Sequence, residues 1–221
     1  MICGDVGFGK TEVALRGAFN VAMSGAQVAF IVPTTLLCSQ HYENFTKRFK
    51  NFPLKVDQIS RLNSTSENNK IIERINSGES DVVVGTHALL NSKIKFKKLG
   101  MLIIDEEQHF GVSQKEKIKS LRSNVHVLAL TATPIPRTLQ MSLVGLRDLS
   151  IISTAPLNRQ NINTEVIDFN DEKIISAIEY ELSRNGQVYY VCPRINELKE
   201  VEDFLKSKLP NVKYQIAHGQ M

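Results

Sequence analysis

The sequence predicts an α/β fold built on a parallel sheet. Short unbroken apolar runs alternate with longer stretches of helical periodicity, the pattern of βαβ units. Parallel strands read as continuous Val/Ile/Leu runs because helices cover both faces of their sheet. The first such run feeds a glycine-rich loop that opens a helix, so the sheet is expected to present a phosphate site at its strand ends.

That loop is Gly4-Asp5-Val6-Gly7-Phe8-Gly9-Lys10-Thr11, which fits G-x-x-x-x-G-K-[ST]. Its backbone N–H groups are expected to point inward at phosphate oxygens, and a side chain at Gly7 or Gly9 would obstruct that approach. Lys10 suits the β/γ-phosphates as a point charge, and the Thr11 hydroxyl suits Mg²⁺. Residues 12–19 read as the helix whose N-terminal dipole faces the phosphates.

The remaining elements follow in order. Residues 27–32 form a buried-strand pattern ended by Pro33. Residues 36–49 form a helix whose Tyr42, Phe45 and Phe49 share one face, the spacing of core contacts rather than of base stacking. A short strand at 55–59 precedes a helix at 66–77, with Ser64 or Ser66 as its cap and Gly78 as its stop. Strands are expected at 82–84, 101–104, 125–130 and 149–152, and helices at 113–122 and 135–144. The polar, Pro-containing stretch 153–159 reads as a linker. A second alternation follows: strands at 163–168, 187–191 and 213–216, helices at 171–184 and 195–208. The division expected is therefore a nucleotide-binding domain over 1–156 and the start of a second α/β domain over 157–221.

Composition narrows the class. The chain has 221 residues, 42% hydrophobic and 23% charged, as in soluble globular proteins. No apolar run approaches the roughly 18–20 residues of a membrane span. Cys3, Cys38 and Cys192 lie far apart, which suggests a reducing compartment and neither a disulfide framework nor a zinc site. A net charge of +4 permits nucleic-acid binding without demanding it. The first residues read as the end of a strand feeding the loop rather than a signal peptide, and both ends read as cuts through a longer protein.

Further chemistry sits at other strand ends. Met101-Leu102-Ile103-Ile104-Asp105-Glu106-Glu107-Gln108 is an apolar strand closing in acids. Asp105 would hold Mg²⁺ opposite Thr11, and Glu106 would orient or deprotonate the attacking water. Thr131-Ala132-Thr133-Pro134 closes the next strand, and its hydroxyls suit hydrogen bonds to the acidic cluster, notably Gln108. Pro33-Thr34-Thr35 and Gly85-Thr86-His87 suit either capping of the helices behind them or contact with nucleic-acid phosphates. Arg137 and Arg147 suit structural ion pairs or DNA backbone equally. Lys93, Lys95, Lys97 and Lys98 read better as a solvated loop, and His87 and His109 as lone imidazoles rather than metal ligands.

The order phosphate loop, Pro-Thr-Thr, Gly-Thr, Asp-Glu-x-x, Thr-Ala-Thr resembles the motor of superfamily 2 helicases and translocases. Three longer stretches narrow the likeness: the loop with Phe8 inside it, Asp105-Glu106-Glu107-Gln108-His109-Phe110-Gly111-Val112, and Thr131 through Leu139 leading to Arg147-Asp148-Leu149-Ser150. These look like the bacterial transcription-repair coupling factors. RecG-type branch-migration helicases, whose loop usually carries Ser at the Phe8 position, are the next best match. The resemblance implies a RecA-like P-loop NTPase lobe with the truncated start of a second RecA-like lobe. It implies ATP and Mg²⁺ as cofactors, a cytoplasmic location and translocation on double-stranded DNA. RNA polymerase and excision-repair proteins are implied as partners through regions outside these residues. By the same resemblance Gly4–Thr11 bind nucleotide, Lys10, Asp105 and Glu106 carry the chemistry, and Gln108, Thr131 and Thr133 couple the cleft to movement. Thr34, Thr35, Gly85, Thr86 and Arg137 would face DNA. His109 departs from the pattern, standing where the family commonly has Arg. An arginine finger is expected beyond Met221, so a nucleotide-binding module inactive by itself is a further reading.

Overall fold

The computed structural model describes residues 1–111, 114, 125–132, 148–156 and 162–221. The helices expected at 113–122 and 135–144, together with Thr133, Arg137 and Arg147, lie outside the described residues. The chain divides into two units, Met1–Arg159 and Gln160–Met221.

The first unit is a seven-stranded sheet. Its strands are β1 (Ile2–Gly4), β2 (Gln27–Ile31), β3 (Val56–Ile59), β4 (Val82–Gly85), β5 (Leu99–Asp105), β6 (His126–Thr131) and β7 (Ser150–Ile152). They lie in the order β3-β4-β2-β5-β6-β1-β7, and every pairing is parallel. Parallel pairing requires crossovers, which α1 (Lys10–Met23), α2 (Thr35–Phe49) and α3 (Thr65–Ser77) supply. The α/β parallel architecture expected from the sequence is thus present.

The period of two along each strand sorts the core into two layers. Val28, Phe30 and Val32 pack with Val82, Val84, Met101 and Ile103 against Ala14, Ala18 and Ala22 of α1 and Cys38, Phe45 and Phe49 of α2. Ala29, Ile31, Val83, Leu102 and Ile104 face the other way, onto Ile71 and Ile75 of α3 and Leu89, Leu90 and Phe110. Small residues on α1 let that helix lie close to the sheet. Phe45 and Phe49 of α2 stand edge to face at 5.5 Å, and Phe30 of β2 lies 5.5 Å from Phe45.

Element ends follow local chemistry. Ser64 caps α3 in a reciprocal capping box with Glu67, and Gly78 closes the helix at φ +85°. The Glu67 carboxyl is held below its ordinary pKa by the Ser64 backbone and hydroxyl hydrogen bonds. At the start of β2 the buried Gln27 amide donates to Ile75 and Ser80 carbonyls and accepts from Lys98 N–H, so a polar core side chain is satisfied. Arg74 pairs with Asp57, whose carboxylate also accepts from Ser80 Oγ at 2.5 Å.

The second unit contains α4 (Asp171–Ser183) and α5 (Glu197–Lys208). Asn170 caps α4 by accepting from Lys173 N–H at 3.0 Å. Ile178, Leu205 and Leu209 form its small core. The strands expected at 163–168, 187–191 and 213–216 are absent: none of these segments is assigned to a strand. An apolar run becomes a strand only when a neighbouring backbone takes up its N–H and C=O groups. Val166, Tyr189 and Val191 are accordingly exposed, at 97%, 92% and 83%.

Candidate functional site

The parallel sheet points all its strand C-termini the same way, so residues distant in sequence meet along one edge. Cys3 of β1 is in register with Thr131 of β6, and Leu130 with Asp105 of β5. The phosphate loop leaving β1 and the acids ending β5 therefore share that edge, separated by β6 alone. Two strand spacings put their backbones about 10 Å apart. Further along, β2 and β4 bring Thr34, Thr35, Gly85 and Thr86 to the same edge.

The loop turns on two glycines. Gly7 has φ +80° and Gly9 φ +87°, the left-handed region that L side chains avoid. A Cβ at either would meet nothing within 4 Å, so within the chain the demand for glycine is conformational rather than steric. Gly4 differs: its Cβ would lie 3.2 Å from that of Ile152 in β7, and 3.6 Å from that of Phe8. Asp5 accepts the Val6 N–H on its own carboxylate, and Phe8 N–H donates to the Asp5 carbonyl. Lys10 folds its ammonium back onto the loop, donating to the Gly4 carbonyl at 2.6 Å and to Asp5 at 3.1 Å. Lys10 and Thr11 open α1 behind the left-handed Gly9. The first N–H groups of a helix have no partner within it and suit an anion.

Glu106 is the most constrained residue at the edge. It adopts φ 49° and ψ 56°, left-handed for a side chain that gains nothing from it locally. Its N–H donates to the Leu130 carbonyl. Its carboxylate accepts from Gln108 Nε2, from Thr131 Oγ1 at 3.3 Å and from Ala132 N–H at 3.2 Å. Strand β6 thus fixes both oxygens of an acid carried by β5. Sequence reading put the Thr131 hydroxyl with the acidic cluster and singled out Gln108; the structure gives Glu106 as an acceptor for both.

Asp105 has a neighbour the sequence did not announce. His41, two turns into α2, places Nε2 3.4 Å from Asp105 Oδ2. The imidazole is buried, its ring tilted at 59° to that of Phe30 with centroids 4.6 Å apart. Its Nδ1 is buried without a hydrogen-bond partner among the described residues. Position 41 falls on the helix face of Phe45, a signal that reads from sequence as core.

The threonines expected at nucleic acid have structural duties. Thr34 Oγ1 caps α2 by accepting from Leu37 N–H at 3.2 Å, while its side chain stays exposed. Thr35 is the first residue of α2 and half-buried. Thr86 is only 2% exposed, and its hydroxyl accepts from Ala88 N–H as the cap of a short 3-10 turn. As placed, that hydroxyl does not reach a surface where a phosphate backbone could lie. Gly85 is required by packing, since a Cβ there would sit 2.5 Å from Leu89 Cγ and 3.0 Å from the Ile59 carbonyl.

Hard oxygen donors, the Thr11 hydroxyl and the Asp105 carboxylate, suit Mg²⁺, which usually binds through one or two protein oxygens plus phosphates and water. Among the described residues no cluster of three or more His, Cys, Asp or Glu could hold a metal unaided. No helix among them is long and apolar enough to cross a membrane.

Comparison with known proteins bears on the family and the fold. The family described as DEAD/DEAH box helicase matches residues 1–142. The transcription-repair-coupling factor of Rickettsia prowazekii (strain Madrid E) is 54% identical over 225 residues, covering 100% of this chain and 20% of its own length. That of Bacillus subtilis (strain 168) is 49% identical over 221 residues, covering 100% of this chain and 19% of its own. The chain therefore spans about a fifth of the length of the curated relatives it matches. A solved structure of RecG bound to a three-way DNA junction superposes with a TM-score of 0.73 at 33% identity, over 94% of this chain and 28% of that one. The seven-stranded parallel sheet with its phosphate loop is a RecA-like lobe, and the chain belongs to the DEAD/DEAH box helicase family.

Proposed function

We propose that the chain is the motor of a transcription-repair coupling factor: an ATP-hydrolysing translocase on double-stranded DNA. The observation that carries this is the gathering of the phosphate loop, Asp105, Glu106 and Thr131 along one sheet edge. Identity near 50% over the whole chain to coupling factors, against 33% to RecG, supports this task over branch migration. Residues 1–156 would be the ATP-binding lobe and 157–221 the beginning of its partner lobe. RNA polymerase and excision-repair proteins would engage parts of the longer relatives outside these residues.

Within that reading Lys10 leaves the Gly4 and Asp5 carbonyls for the β/γ-phosphates, and the Gly7–Thr11 amides cradle them. Thr11 and Asp105 would hold Mg²⁺, which when bound neutralises charge developing between the β- and γ-oxygens. Glu106, its carboxylate fixed from three sides, orients the attacking water and accepts its proton. Gln108 and Thr131 bond that same carboxylate, so a change there moves the ends of β5 and β6 together. Thr133 would extend this coupling. Thr34 and Thr35, at the exposed start of α2, and Arg137 are the stronger candidates for DNA; Gly85 and Thr86 act on DNA only by shaping the loop.

Three measurements test the proposal. Lys10→Ala should lower ATP turnover about 10²-fold or more, and Glu106→Gln should lower it about 10²–10⁴-fold while leaving nucleotide bound. Turnover that survives both changes rules out this site. Linear duplex should stimulate turnover as well as a three-way junction does. A strict requirement for the junction would transfer the assignment to a RecG-type task. Turnover should also rise about 10³-fold or more when the chain is extended through a complete second lobe that supplies an arginine finger. Equal, fast rates would show that these residues suffice.

A further inference from the structure

We propose that His41 is a positioning residue for Asp105, holding the carboxylate in the orientation that receives the nucleotide-bound magnesium. The inference rests on the nucleotide-site reading above, and adds to it a residue from outside the loop and acid motifs.

Three observations converge on it. His41 Nε2 faces Asp105 Oδ2 at 3.4 Å, with side chains only 7% and 13% exposed. Phe30, fixed in the centre of the sheet and itself fully buried, packs its ring at 4.6 Å from the imidazole and limits the ring's freedom. His41 Nδ1 is buried without a partner among the described residues. A buried N–H left unbonded costs more than an unbonded lone pair beside a ring, so the hydrogen belongs on Nε2, toward the carboxylate. Nε2 is thereby directed at Oδ2 of Asp105 across 3.4 Å, a contact from α2 that biases how the carboxylate is turned. Groups that orient a metal-side carboxylate typically change metal affinity about 10–100-fold when removed.

The imidazole also explains a polar residue in an apolar layer. His41 lies on the α2 face of Cys38 and Phe45, which is otherwise turned into the apolar core. Among the described residues, the approach to Asp105 is the contact that uses its nitrogen.

The test compares His41→Leu, His41→Asn and His41→Gln in the 221-residue chain. Gln can carry an N–H to about the place of Nε2; Asn is polar but too short; Leu fills volume without a donor. Binding of a fluorescent ADP is titrated against Mg²⁺, and bound Mn²⁺ is followed by electron paramagnetic resonance. Thermal melts check folding. Expected is a rise of about tenfold or more in the half-saturating Mg²⁺ for Leu and Asn. Gln should stay within about threefold of wild type, and all four proteins should bind ADP equally in chelator. If Leu does not fold, the Asn and Gln pair decides. Unchanged magnesium dependence in Asn or Leu overturns the inference, as does a loss in Gln equal to that in Asn, which would make ring packing the sole role. Failure of the wild type to show magnesium-dependent binding overturns the nucleotide-site reading itself.

Discussion

Single residues divide here into those whose role a sequence displays and those whose role needs a neighbour. Lys10 and Asp105 stand with the first kind in the role proposed for them, because fixed spacing ties each residue type to a candidate chemistry. Glu106 is half legible: its place after Asp105 marks it, but its left-handed backbone does not, since glycine is the usual signal for that conformation. His41 is the second kind, hidden on a helix face that looks apolar until β5 is laid beside it. Cys38 offers a residue-scale test of burial. Its thiol is pushed up from 9.0 to about 11 by removal from water. The folded protein keeps that proton over a range where the unfolded chain loses it, so stability falls as pH rises from 9 to 11. Two pH units correspond to about 2–3 kcal/mol. Urea melts of wild type and Cys38→Ala across that range should diverge accordingly; parallel curves would show that the thiol is solvated. At neutral pH Cys3 and Cys192, both half-exposed, should react with a thiol reagent well before Cys38.

Elements were most legible where sequence and partner agree. The runs in β2, β4 and β5 are strands because each lies between two others and is covered on both faces. The run at 187–191 looks alike as letters, yet has no ladder and leaves Tyr189 and Val191 in solvent. Hydrophobicity nominates a strand, and pairing elects it. Caps behaved more locally: Ser64 and Gly78 bracket α3 through bonds made within a few residues, so the sequence placed Gly78 and narrowed the cap to Ser64 or Ser66. Ser64→Ala should cost about 1 kcal/mol by denaturant unfolding. The Glu67 carboxyl, lowered by that cap, lends stability that is present at neutral pH and lost as pH falls through its depressed folded value. Glu67→Gln should therefore flatten the acid limb of the stability curve; an unaltered limb would mean that the capping box does not form in solution. Gly85→Ala tests packing instead, and should destabilise the lobe by about 1–3 kcal/mol through its collision with Leu89 and the Ile59 carbonyl.

At the scale of the molecule, the sheet order explains why motifs spread along most of the first unit lie along one edge. It also sets a timetable for biosynthesis. The first strand of these residues, β1, has no neighbour among the strands that directly follow it; among the described residues Ile2 pairs with Leu130 of β6 and Ser150 of β7. A ribosome must deliver both late strands before the amino-terminal segment can dock, and at about 5–20 residues per second that wait lasts many seconds. Until then β2, β3, β4 and β5 can zip up around α2 and α3, with the glycine loop dangling beside an unfinished flank. The glycine loop's flank is thus the last part of this lobe to be assembled, and a nascent chain interrupted before β6 would hold a nearly complete core with β1 and its loop still undocked.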